Sequence, residues 1–178
     1  MPNYRRNRVP GGTYFFTVNL LERGSTLLVS NVDALRDAVR KVRAARPFHI
    51  DAWVVLPDHM HAVWTLPPDD ADYSARWKAI KIAFAKALPK AEYLSPVRAG
   101  KGERGIWQRR FWEHTIRNEQ DYAAHVEYVH INPVKHGLVA SVRDWPHSSF
   151  HRYVALGVYA RDWAGQGVDE LPAGERCA

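Results

Sequence analysis

Leu56-Pro57-Asp58-His59-Met60-His61-Ala62-Val63-Trp64 opens on a turn and then reads as a β-strand. Successive strand residues point to opposite faces, so Met60, Ala62, Trp64 and Leu66 share one face, while His59, His61, Val63 and Thr65 share the other. The first set is a core face. The second sets two imidazoles side by side, and neutral imidazoles on a rigid element are able to share one metal ion. With nine histidines in the chain, a single His-x-His is equally what an ordinary strand with hydrogen-bonded histidines would show.

Working outward, the run 48–56 is a second strand joined to this one through Pro57-Asp58, and the aromatic, β-branched run 13–21 is a first strand. Between them, Val32, Leu35, Val39 and Val42 form one apolar stripe of a helix over 31–46, started by Ser30 with Asp33 and stopped by Pro47. Downstream, Trp77, Ile80, Phe84 and Leu88 are the stripe of a helix over 73–88. A basic, glycine-rich loop is expected over 95–105, then a strand over 106–116. A last long helix starts at Asn118 with Asp121 and ends before Pro133, its buried stripe Tyr122, Val126 and Val129. This βαββαβ order predicts an α+β, ferredoxin-like antiparallel sheet with helices on one face, plus an additional C-terminal helix carrying Tyr128. One domain is expected over 1–178, with a basic arm at 1–12 and a flexible tail at 157–178.

The net charge is +6, and arginine and lysine are interleaved with seven Trp, eight Tyr and six Phe. Phosphates need the cations and base faces need the aromatics, so a single-stranded nucleic acid is the partner this composition suits. No apolar run is long enough to span a bilayer, and residues 1–10 are arginine-rich rather than signal-like. The lone cysteine, Cys177, excludes an intrachain disulfide, and a reducing cytoplasm is the expected setting.

Tyr128 and Asn132, one helical turn apart, present a phenol and an amide on one side of the last helix. A metal held by His59 and His61 would take an oxygen as third ligand and keep positions open for a phosphate. Tyr128 would then attack phosphorus and become covalently attached to the DNA. Two rival readings use the same residues. One is a catalytically silent nucleic-acid-binding regulator, and the other a metal phosphodiesterase in which water attacks and Tyr128 is structural.

Pro57-Asp58-His59-Met60-His61 followed by the run from Tyr128 through Asn132-Pro133-Val134-Lys135-His136-Gly137 to Val139 resembles the REP-associated tyrosine transposases, of the single-tyrosine HUH transposase superfamily. Asn3-Tyr4-Arg5-Arg6, the run 11–20 and the run 107–116 fit the same pattern, so the resemblance covers about 3–153. It implies His59 and His61 as metal ligands, Asn132 as the third, and Tyr128 as the nucleophile, with Mg²⁺ or Mn²⁺ as cofactor. Asp58 stands where the superfamily commonly has asparagine. The implied activity is that of a metal-dependent single-stranded DNA endonuclease and strand transferase acting through a 5′-phosphotyrosine. Its implied substrates are REP-type hairpins flanked by a short guide sequence. Tyr4, Arg5 and Arg6 are candidates for guide contacts, and Arg109 and Arg110 for the DNA backbone. The resemblance also leans towards a monomer, in the cytoplasm with the nucleoid. Five further histidines (His114, His125, His130, His136 and His147) read as ordinary surface residues.

Overall fold

The structure, a computed structural model, describes residues 6–165. Its elements are β1 (Thr13–Asn19), α1 (Leu27–Ser30), α2 (Val32–Ala45), β2 (His49–Val55), β3 (His59–Thr65), α3 (Tyr73–Ala87), α4 (Pro96–Gly100), β4 (Trp112–Thr115), α5 (Glu119–Lys135), a 3₁₀ turn (Val142–Asp144) and α6 (Phe150–Ala155). The strands form one sheet in the order β2-β3-β1-β4, every neighbour antiparallel. This is the ferredoxin-like α+β arrangement that the order of elements predicts.

The two faces of the sheet are covered differently. On one, Tyr14, Phe16 and Val18 of β1 and Met60, Ala62 and Trp64 of β3 pack against α2 and α3. On the other, Phe15, Ala52, Val54 and Val63 pack against Val126, Tyr128 and Val129 of α5. A β1 of sequence Thr-Tyr-Phe-Phe-Thr-Val-Asn, buried at every interior position, is what a strand covered on both sides requires. So the tyrosine helix is the second covering layer, and the histidine face of β3 is an interior surface.

Several boundaries differ from the sequence pattern. The expected strand 106–116 shortens to β4, because Trp107 leaves the ladder to bridge Leu20 and to donate its indole N–H to the Lys81 carbonyl at 3.1 Å. The loop 95–105 contains α4, whose first turn is capped by the Ser95 hydroxyl. Most consequential is α5, which runs through Pro133 to Lys135. It closes with Leu138 N–H donating to the Pro133 carbonyl and Gly137 N–H to the Val134 carbonyl. Gly137 itself is at φ 65°, the left-handed conformation this ending needs.

Neither end behaves as a free segment where it is described. Arg6 stacks 4.1 Å over the Phe111 ring, and the Asn7 carbonyl accepts from Tyr73 Oη. At the other end, the tail expected to be free from Gly157 folds back through Gly165. Tyr159 stacks on Tyr153 and Phe150, and Trp163 stacks on Tyr159 at 4.5 Å. The remainder of the expected arm and tail, residues 1–5 and 166–178, lies outside the described residues. Among the described residues no helix is long and apolar enough to cross a membrane.

Candidate active site

The turn Pro57-Asp58 delivers His59 as the first residue of β3, opposite Asn19 of β1; His61 then falls opposite Thr17. Both imidazoles are buried, 5.1 Å apart between ring centroids and nearly perpendicular. Each is held through Nδ1. His59 Nδ1 meets Asp58 Oδ1 at 2.6 Å, and His61 Nδ1 is hydrogen-bonded to the Thr17 hydroxyl at 2.9 Å. Asp58 is itself fixed, its Oδ2 accepting from Gly24 N–H at 2.8 Å and lying 3.3 Å from Arg23 Nε. A carboxylate on Nδ1 sets the tautomer and leaves Nε2 as a lone pair. That accounts for an aspartate at position 58. Burial, with the neighbouring His61, pushes His59 down to about 4, so the ring is neutral and ready to ligate at ordinary pH.

α5 supplies the rest. Asn118 caps it by accepting from Asp121 N–H, and the helix then places Tyr128, Asn132 and His136 one turn apart on one row. The Tyr128 ring is buried, edge-on to His61 with centroids 5.4 Å apart and edge-on to Phe15 at 5.8 Å. Lys135 lies over that ring, Nζ 4.5 Å from its centroid, and donates to the Tyr128 hydroxyl at 3.2 Å. Asn132 is fully buried. Its Nδ2 donates to the Tyr128 carbonyl, while its Oδ1 has no hydrogen-bond partner among the described residues.

The structure thus brings His59, His61 and Tyr128 together, with Asn132 on the same row of α5, one turn beyond Tyr128. It adds His136, whose ring is 4.9 Å from that of His59. One ligand atom from each of His59, His61 and His136 lies within 4.8 Å of the others. The sequence reading missed His136 because a helix ended before Pro133 removes it from the row. Its position, one turn beyond Asn132 and immediately before Gly137, was the available signal. The donor set fits a divalent cation: His59 Nε2 and Asn132 Oδ1 are both buried with no hydrogen-bond partner among the described residues, and a cation would give them one.

His136 is exposed, as expected, but two other histidines are buried rather than surface residues. His130 is buried, bonded to the Ser149 hydroxyl at 2.8 Å and packed on Tyr153 and Tyr159, where it anchors the folded-back tail. His125 is buried against Phe15 and stacked on His114.

Of the DNA-contact candidates, Tyr4 and Arg5 lie outside the described residues. Arg6 and Arg109 line a groove of about 750 Å³ between α3 and the segment leading to β4, with Lys78, Lys81, Lys86 and Phe111. Arg109 is exposed and paired with Glu103 at 2.9 Å; Arg110 is exposed outside the groove lining. Lys81 donates to the Gln108 carbonyl, and burial pushes its ammonium down to about 8, with Arg6 adding to the shift. Gln108 N–H bonds the Asn19 carbonyl, so the groove adjoins the same end of β1 that faces His59.

Known proteins resemble this chain over nearly its whole length. The chain is 53% identical over 176 residues to the REP-associated tyrosine transposase of Escherichia coli K12, covering 99% of this chain and 98% of that one. A relative in Haemophilus influenzae is 44% identical over 166 residues, 93% of this chain and 94% of that one. Among solved structures, a REP-associated tyrosine transposase bound to a REP hairpin superposes with a TM-score of 0.86 at 52% identity, covering 100% of this chain and 99% of that one. No family model matches.

Proposed function

The chain belongs to the REP-associated tyrosine transposases, and from that premise we propose that it cleaves and rejoins single-stranded DNA at REP-type hairpins, with Tyr128 as nucleophile in a metal-assisted reaction. The observation that carries this reading is the Tyr128 ring beside His61 with Lys135 on its hydroxyl.

In the reaction, Tyr128 Oη gives up its proton and attacks the scissile phosphorus. The new P–O bond joins the 5′ side of the DNA to the tyrosine, the bond to O3′ breaks, and the departing O3′ takes a proton to become a free hydroxyl. Rejoining is the reverse, with a 3′-hydroxyl attacking and the phenol leaving. A free phenol has a pKa of about 10, so its oxygen needs a cation beside it. Lys135 supplies one in both directions, stabilising the phenolate before attack and again as it leaves.

His59 and His61, with Asn132 or His136, would hold the divalent cation, which when bound withdraws charge from the phosphate. Asp58 and Thr17 orient the two imidazoles for that task. Mg²⁺ and Mn²⁺ are the candidates, and a third imidazole shifts preference towards Mn²⁺, since Mg²⁺ favours all-oxygen sites. Tyr128 and the histidines come from one chain, so a monomer suffices. Hairpin DNA with its guide sequence would run along the basic groove beside α3, contacted by Arg6 and Arg109, towards the end of β1. The working location is the cytoplasm, with the nucleoid.

The test is incubation of the purified protein with labelled hairpin oligonucleotides drawn from REP-type repeats, with Mn²⁺ or with chelator, run on a denaturing gel. A protein–DNA adduct with Mn²⁺, absent with chelator, is the expected result. Cleaved DNA without any adduct would identify a water-using phosphodiesterase, and bound but intact DNA a silent hairpin-binding protein.

A further inference from the structure

A second group of ligand-type side chains lies where nothing in the proposed reaction uses it. His114 of β4 meets Asp121 of α5, its Nε2 at 2.9 Å from Oδ2 and 3.1 Å from Oδ1. One helical turn along, His125 brings Nδ1 to 3.0 Å from Asp121 Oδ1, and the two imidazoles stack at 4.6 Å with planes 14° apart. One ligand atom from each of the three lies within 4.8 Å of the others. We propose that His114, Asp121 and His125 form a second divalent-cation site, of the Zn²⁺ class, that ties β4 to the first turns of α5.

Two observations favour a cation over a plain hydrogen-bonded network. The first is the donor set. Two imidazoles and one carboxylate are a recurrent Zn²⁺ combination, with a water completing the shell, and ligands one turn apart on a helix suit it. The second is an unmet need. His125 is 2% exposed, and its Nε2 is buried with no hydrogen-bond partner among the described residues. Its Nδ1 has the Asp121 carbonyl at 2.8 Å as well as the carboxylate, so the protein has two acceptors for one nitrogen of this ring and nothing for the other. An isolated network leaves that atom at a cost of about 1–3 kcal/mol. With Nδ1–H donating to Asp121, the ring's lone pair lies on Nε2, and a cation bound there would give it a partner.

The position gives the site a purpose. His125 lies one turn before Tyr128, and the Phe15 ring lies 4.9 Å from His125 and 5.6 Å from His61. Phe15 therefore separates the two groups of histidines, and the second site clamps the start of the helix whose far end carries the nucleophile. It does so without exchanging ligands with the first.

The test uses Co²⁺ as a spectroscopic probe on the full-length protein stripped of metal, read by visible absorption and by metal content per chain. Wild type should take up two Co²⁺, the double variant His59→Gln/His61→Gln one, and that variant with His114→Gln added none. The thermal midpoint of His59→Gln/His61→Gln should rise with added Zn²⁺, and His114→Gln, a change at a partly exposed ring, should cancel the rise. The proposal is overturned if His59→Gln/His61→Gln binds no Co²⁺, or if its uptake survives His114→Gln. Neither outcome bears on whether Tyr128 is the nucleophile.

Discussion

The two faces of the central sheet each bury polar atoms without partners, but of different kinds. Against α2 and α3 the orphans among the described residues include the indole nitrogens of Trp53, Trp64 and Trp77, with Trp64 and Trp77 stacked at 4.1 Å. An indole N–H is donor-only and binds no cation, so this face tolerates the loss in return for dense aromatic packing. Against α5 the orphans include His59 Nε2, Asn132 Oδ1 and His125 Nε2. Each carries a lone pair that a cation would satisfy. One face is built for stability, and the other leaves ligand atoms open beside a phenol. The type of unsatisfied atom, rather than the degree of burial, tells them apart.

That contrast breaks most visibly under paired substitutions. Tyr128→Phe should lower adduct formation by at least about 10³-fold while leaving hairpin affinity and the thermal midpoint near wild type, measured by gel assay, fluorescence anisotropy and calorimetry. Trp77→Ala on the opposite face should do the reverse. Its stability falls by about 3–5 kcal/mol in denaturant titration, while the folded fraction keeps its activity. If both variants lost activity and stability together, the division of labour between the faces would be wrong.

Much of this division was legible before any coordinates. The alternation through His59-Met60-His61-Ala62-Val63-Trp64 separates a core face from a histidine face, and the order of strands and helices specifies the sheet. What the pattern hid was α5 as the cover of the histidine face. Hydrophobic alternation cannot tell an exposed polar face from one buried under a helix that brings its own polar side chains. His136 was hidden by Pro133, whose missing N–H looked like a stop. The helix instead runs on for two residues and closes on Gly137. Arg76 was hidden for a different reason. Within a lysine-rich helix it reads as surface charge, yet it is 2% exposed and donates to Asp70 and to the carbonyls of Arg46, Pro47 and Asp72.

Smaller effects sharpen the contrast within the histidine face. Asp58→Ala removes the carboxylate from His59 Nδ1 and frees the tautomer, and should weaken Mn²⁺ affinity or Mn²⁺-supported cleavage by about 10–100-fold. Metal titration of cleavage measures it, and an unchanged midpoint would leave Asp58 as a turn residue only. The groove beside α3 should show the smallest effect. Lys81 is lowered from 10.5 to about 8, so its ammonium is largely charged at pH 7 and largely neutral at pH 9. Hairpin affinity should therefore weaken several-fold as pH rises from 7 to 9, by the loss of one positive charge lining the proposed DNA groove. Lys81→Met should bind more weakly at pH 7 and flatten the profile, measured by anisotropy at fixed salt.

The central claim is that Tyr128 itself becomes joined to the DNA in the site formed by the paired imidazoles. Its most direct test is protease digestion of the trapped adduct followed by mass spectrometry of the peptides. The account predicts a nucleotide-bearing peptide with the modification on Tyr128. A nucleotide on another residue, or complete cleavage with no modified peptide, would contradict it.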